Sequence, residues 1–166
     1  MILKGFSYLL GDDVNTDLII SGRYKFSISD IKELSKHILE DVDPQFYSRL
    51  KPGESILVGG KNFGMGSSRE QAPLVIKEAG IVCVVAKSFA RIFYRNAINI
   101  GLPLVEADTS NIKEKDQLNI DLENGILKNI TRNYQEKILP LPQVMVKLLL
   151  DGGLVQHFKK YGEIKL

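Results

Sequence analysis

The chain has 166 residues, 44% of them hydrophobic and 25% charged, a composition that excludes a disordered or fibrous protein and makes one globular domain over residues 1–166 the expectation. Lysine plus arginine (22) nearly balance aspartate plus glutamate (20), and the basic residues are scattered along the chain, which argues against a nucleic-acid partner. The single cysteine, Cys83, excludes an intramolecular disulfide and a Cys-rich metal or iron-sulfur site within the chain, and it favours a reducing compartment.

Residues 2–10 read as a first strand that ends in the turn-rich string Gly11-Asp12-Asp13-Val14-Asn15-Thr16-Asp17. Ser29 or Asp30 caps a predicted helix over about residues 30–40, with Ile31, Leu34, Ile38 and Leu39 on one face. Pro52-Gly53 punctuates the chain before a short buried strand over 55–58. A loop dense in glycine follows, then a helix over about 68–79, an apolar strand over 81–86, a helix from Ser88 to about Asn99 and a strand over 101–105. Strand and helix alternating in this way imply parallel pairing. Residues 117–122 and 126–130 flank Glu123-Asn124-Gly125, a hairpin signal that adds antiparallel structure and makes the sheet mixed. Pro140-Leu-Pro142 leads into a last helix with Val144, Leu148 and Leu149, stopped by Gly152-Gly153. The longest apolar run, residues 79–86, is far shorter than the ~20 residues that cross a bilayer. The N-terminal residues carry no charged segment followed by a sustained apolar core, so no membrane association and no secretory signal are expected, and the cytoplasm is the expected compartment.

The string Gly60-Lys-Asn-Phe-Gly64-Met-Gly66-Ser67-Ser68-Arg69-Glu70 stands between a buried strand and a helix, the junction at which α/β proteins place ligands. Gly64 and Gly66 permit positive φ and close approach of backbone N–H groups to a bound group. A helix start adds unpaired donors that favour an anion, and Arg69 adds a fork of donors suited to a carboxylate or phosphate. Ser67 with Glu70 three residues on equally matches a capping box, so the local pattern leaves structural capping and anion binding side by side. The phosphate-binding string Gly-x4-Gly-Lys-Ser/Thr is absent, and the dinucleotide fingerprint fails because Arg69 stands where its third glycine belongs.

Together with Ala86-Lys-Ser-Phe-Ala-Arg91-Ile-Phe-Tyr-Arg95-Asn-Ala-Ile-Asn99 and Asp13-Val-Asn-Thr-Asp17, that string resembles the small subunits of 3-isopropylmalate dehydratase, the separate swivel-domain chains of the aconitase superfamily. The resemblance covers almost the whole chain. It implies a three-layer β/β/α swivelling domain with a mixed sheet, and a hydro-lyase that isomerises 2-isopropylmalate and 3-isopropylmalate by dehydration and rehydration in leucine biosynthesis. It implies no cofactor in this chain and a 4Fe-4S cluster on a separate large subunit, the expected partner besides a small hydroxy-dicarboxylate substrate. By position Ser67 matches the family's serine base, while Ser68 and Arg69, with the Gly66 backbone beside them, match groups that hold substrate carboxylates.

Ser21-Gly22-Arg23-Tyr24 and the residues after it resemble the family's N-terminal loop, which touches the variable part of the substrate. Arg23 is the second site candidate, against the alternative of a solvated turn arginine. Tyr24, Lys25, Phe26, Ser27 and Ile28 form the expected specificity loop. Phe26 and Ile28 suit an apolar isopropyl group, whereas Lys25 suits an extra carboxylate, so homoaconitate, citrate and dimethylmalate types stay open beside isopropylmalate. A noncatalytic module that binds a carboxylate or phosphate at residues 64–69 is the rival class. His37 and His157 lack clustered ligands and read as structural, and Cys83 reads as a buried small hydrophobe. Arg91 and Arg95 share a helical face, where like charges repel unless an acidic partner or an interface lies opposite. Lys159, Lys160 and Lys165 read as a solvated basic tail.

Overall fold

The computed structural model describes residues 1–24 and 26–165; Lys25 of the expected specificity loop and Leu166 lie outside the described residues. In chain order the elements are β1 (Ile2–Leu9), α1 (Thr16–Ile19), α2 (Ile31–Ser35), α3 (Phe46–Arg49), β2 (Ser55–Val58), α4 (Gln71–Glu78), β3 (Ile81–Ala86), α5 (Arg91–Asn99), β4 (Leu104–Glu106), β5 (Gln117–Asp121), β6 (Ile126–Asn129), β7 (Tyr134–Lys137), α6 (Gln143–Leu150) and α7 (Leu154–Tyr161). They build one sheet in the order β4-β3-β2-β1-β5-β6-β7. β1 to β4 pair in parallel, and β5, β6 and β7 add antiparallel strands beyond β1.

Two apolar clusters explain the layers. Leu57, Val84 and Ala86 point to one face and pack with Val75, Ile76, Phe93 and Ala97 of α4 and α5. Ile56, Val58, Cys83 and Val85 point to the other face, where they meet Leu118, Ile120, Leu127 and Ile138 from the antiparallel half. The single sheet therefore curls until its antiparallel half covers its parallel half, giving the expected β/β/α layers. Strands buried on both faces read as unbroken apolar runs, as 56–58 and 81–86 do. A bulge between Ser55 and Ile56 shifts the β3 register, which puts Ile81 on the same face as Val84. Each such aliphatic side chain contributes about 1.5–3 kcal/mol on burial, so the two clusters suffice without a covalent staple.

Several boundaries differ from the sequence expectation. The helix expected over 30–40 stops at Ser35, because Leu39 takes φ +51 and donates its backbone N–H to Ile19, which buries Ile38 and Leu39 by a turn. The helix expected from 68 begins at Gln71, with Glu70 at the N-cap and no side-chain cap, so Ser67 is not a capping residue and the capping-box alternative falls away. The helix expected from Ser88 begins at Arg91, since Ser88 Oγ instead accepts the Asn62 N–H. The expected strand 101–105 is displaced to Leu104–Glu106 by the left-handed Gly101. The expected hairpin forms, but β5 ends at Asp121 and not at 122, so the connection has four residues, 122–125, instead of the expected three, 123–125. β7 and α7 were not expected. Lys159 and Lys160 of the expected basic tail are exposed as expected but lie in α7, where Lys160 pairs with Asp151 and His157 is fully buried; Lys165 follows the helix.

Candidate active site

The turn after β1 and the glycine-rich loop after β2 are laced together by backbone and short side chains. Gly60 N–H donates to Gly11 O, Asp13 N–H to Lys61 O, Gly64 N–H to Val14 O and Thr16 N–H to Met65 O, at 2.8–3.0 Å. Asp12 Oδ1 accepts from Lys61 N–H, and Thr16 Oγ1 donates to Ser67 O at 2.9 Å. A Cβ on Gly66, at φ +95, would lie 2.6 Å from Asn15 Oδ1, so this approach requires glycine. From below, the buried Phe63 packs edge-on against Phe89 and Phe93, with ring centroids 5.9 and 5.5 Å away, which ties the loop to the start of α5.

Residues 66–68 are thereby exposed at the mouth of a cavity of about 200 Å³. One wall is Gly64, Gly66, Ser67, Ser68 and Arg69; the other is Ala90, Arg91, Ile92, Phe93 and Asn96. Arg69 Nε donates to Ser67 Oγ at 3.1 Å, and Arg69 Nη2 pairs with Asp17 Oδ1 at 2.7 Å. The guanidinium also lies against Gly22, where a Cβ would stand 3.0 Å from Nη2. The cation is held on three sides with its Nε aimed at the serine. Four of the expected residues, Gly66, Ser67, Ser68 and Arg69, therefore come together.

The helix terminus beside them is not the expected one. α4 begins too late to face Ser67, whereas α5 opens directly on the cavity with Ala90 at its N-cap and no side-chain cap. Its first-turn N–H groups and partial positive charge thus lie across from Ser67. Sequence reasoning missed this wall, including Asn96. The available signal was the absence of Ser, Thr, Asp or Asn directly before Arg91.

The Aconitase C-terminal domain family model matches residues 24–110. The chain is 52% identical over 166 residues to 3-isopropylmalate dehydratase small subunit 2 of Archaeoglobus fulgidus, covering all of both chains. It is 50% identical to the 3-isopropylmalate dehydratase small subunit of Caldicellulosiruptor bescii, covering 99% of this chain and 98% of that one. The chain belongs to the 3-isopropylmalate dehydratase small-subunit family. The crystal structure of 3-isopropylmalate dehydratase (LeuD) from Methanocaldococcus jannaschii superposes with a TM-score of 0.91 at 44% identity, covering 98% of this chain and 96% of that one.

In this small-subunit chain the second candidate, Arg23, does not line the cavity. Its Nη2 pairs with Asp41 Oδ1 at 2.8 Å, and Tyr24 and Asp41 together push its pKa further up. Tyr24 donates to Glu40 Oε1 at 2.7 Å and stacks on His37, and Ile28 packs on the helix-side core. Ser27 is exposed, and Phe26 is 93% exposed. None of these four loop residues reaches the cavity wall in the isolated chain. A larger cavity of about 420 Å³ is lined by Phe6, Tyr8, Arg49, Lys51 and Lys115, with no serine, threonine or cysteine among them, and its Tyr8 hydroxyl is committed to Arg49 O.

Among the described residues no three His, Cys, Asp or Glu side chains gather to hold a metal. Cys83 lies fully buried in the β/β core, where desolvation pushes its thiol pKa up, so it is not fitted to ligate an iron-sulfur cluster. Among the described residues no helix is long and apolar enough to cross a membrane.

Proposed function

We propose that this chain is the small subunit of a two-component hydro-lyase, cytoplasmic, that interconverts 2-isopropylmalate and 3-isopropylmalate in leucine biosynthesis. In this reading it is a single swivel domain that contributes the proton-transferring half of the site, and a large subunit carries the 4Fe-4S cluster. The observation that carries the reading is the Ser67 Oγ held by Arg69 Nε at the mouth of a cavity walled on its far side by the uncapped start of α5.

A serine hydroxyl is a weak base at neutral pH and acts only when its alkoxide is stabilised. Arg69 supplies a fixed cationic donor at that oxygen, and it needs no reorganisation as the charge develops. Ser67 takes the proton from the carbon next to a substrate carboxylate. The C–H electron pair becomes the new double bond as hydroxide leaves the neighbouring carbon. Addition of water in the opposite sense returns the proton to one carbon and the hydroxyl to the other. Gly66 N–H, Ser68 and the first turn of α5 are the donors available to the substrate carboxylates. The cavity is smaller than the ~300–1,000 Å³ of a complete ligand pocket. That is consistent with a site finished by a second polypeptide.

Residues 23–28, which follow Gly22 in the sequence, remain the proposed specificity loop, with Arg23 released from Asp41 on assembly. The decisive test is Ser67→Ala, assayed with the iron-sulfur large subunit present. Turnover of either isomer should fall by ~10²–10⁴ while assembly is retained; near-normal turnover would end the base assignment. Exchanging residues 23–28 with those of a homoaconitate-type relative should then shift preference between isopropylmalate, homoaconitate and dimethylmalate.

A further inference from the structure

The chain has six arginines, and four of them sit against an aspartate: Arg23 on Asp41, Arg49 on Asp43, Arg69 on Asp17 and Arg132 on Asp116, all at 2.7–2.8 Å. Arg91 and Arg95 are the exceptions. Among the described residues neither has a carboxylate within ion-pairing distance, and both are exposed one turn apart on α5, beside the cavity mouth. Ile92 lies between them, 50% exposed.

In the isolated chain this arrangement is unfavourable. Two like charges four residues apart on a helix repel by roughly 0.2–0.5 kcal/mol, and the neighbouring Ile92 leaves half of its apolar surface in water. A partner with carboxylates there would reverse both effects, and arginine is a residue type enriched in protein interfaces. The position narrows the partner. A substrate lodged between residues 66–69 and the start of α5 is covered by this chain on one side only. Whatever polypeptide completes the reaction must close over that mouth and therefore over the adjoining face of α5.

We propose that Arg91, Ile92 and Arg95 form the docking ridge for an acidic surface of the large subunit, an inference that rests on the two-component reading above. The ridge is continuous with the site, so docking and closure of the cavity are one event. Arg91 and Ile92 also line the cavity, whereas Arg95 does not. Arg95 is therefore the residue that separates docking from chemistry.

The test reconstitutes both full-length subunits and measures their dissociation constant against salt concentration, with turnover at saturating large subunit. Arg95→Glu should raise the dissociation constant by about tenfold at low salt, less as salt screens the charges, while kcat at saturation is unchanged. Arg95→Ala should show a smaller rise, and Lys128→Glu, an exposed charge reversal on β6, should show none. If Arg95→Glu and Arg95→Ala both associate like the parent chain at every salt concentration, the ridge is not the docking site. If the parent pair associates but turns over neither isomer, the functional reading fails, and the dissociation constants still decide the docking proposal.

Discussion

Two ion pairs in this chain have the same 2.7 Å separation in opposite surroundings. In Arg69–Asp17 the cation is the shielded partner, with side-chain exposures of 20% and 54%; in Arg132–Asp116 the anion is shielded, at 42% and 2%. Asp116 Oδ2 accepts from Lys113 N–H, Asn129 Nδ2 and Arg132 Nε, all at 2.7–2.8 Å. That oxygen has no capacity left for a ligand, and its partners tie the 113–116 turn to the end of β6 and the turn that follows. Arg69 spends one donor on Asp17 and one on Ser67, and has further donors on a side chain that lines the cavity. Distance does not distinguish the two pairs; unspent hydrogen-bonding capacity beside a cavity does.

The largest separation between them should come from exchanging each arginine for lysine. Arg69→Lys keeps a positive charge and loses the planar fork whose Nε reaches Ser67 Oγ, so turnover with the large subunit should fall by ~10²–10³. Arg132→Lys should leave turnover unchanged. Comparable kcat values in the two variants would mean that the Arg69 fork has no part in activating the serine.

The carboxylates should separate in the other direction. Burial alone would raise the Asp116 pKa, but Asn129, the Lys113 N–H and Arg132 together hold it below the ordinary carboxylate value. Its folded pKa thus lies under the unfolded value of about 3.9, so the folded state binds fewer protons and gains stability as pH rises. That contribution is present above about pH 4 and disappears as pH falls through the folded pKa. Asp116→Ala should cost about 1–3 kcal/mol in denaturant unfolding at pH 7, through the buried donors it leaves unpaired, with turnover intact. Asp116→Asn should lose less stability than the parent chain between pH 5 and acid. An unchanged acid limb would remove Asp116 from the account of stability.

What was legible in the sequence follows the same line between local and tertiary causes. β2 and β3 could be read because strands buried on both faces are continuous apolar runs. The 64–69 corner could be read because close backbone approach leaves a cluster of glycines. β7 could not, since Tyr134-Gln-Glu-Lys137 is a polar edge strand paired on one side only. α7 follows the two glycines that seemed to end the fold, and its buried His157 is specified by Asp151 Oδ2 at 2.7 Å and by the Lys165 N–H that its Nε2 accepts, contacts no local pattern announces. The same applies to the site. The Ser67–Arg69 pair is local, whereas α5 reaches it through Phe63, Phe89 and Phe93, so the far wall emerges only from packing.

Asp17 gives the smallest expected effect and the finest discrimination. Its carboxylate is more than half exposed, so its pairing with Arg69 is screened by water and should contribute no more than about 1 kcal/mol. Gly22 and Ser67 still hold the guanidinium when Asp17 is neutralised. Asp17→Asn should therefore lower kcat by at most roughly fivefold, with KM little changed and thermal stability close to that of the parent chain. A carboxylate that merely competed with substrate for Arg69 would behave oppositely: its removal would lower KM and leave kcat alone or raise it. The split between the two kinetic constants thus decides whether Asp17 orients the Arg69 cation or occupies it until substrate arrives.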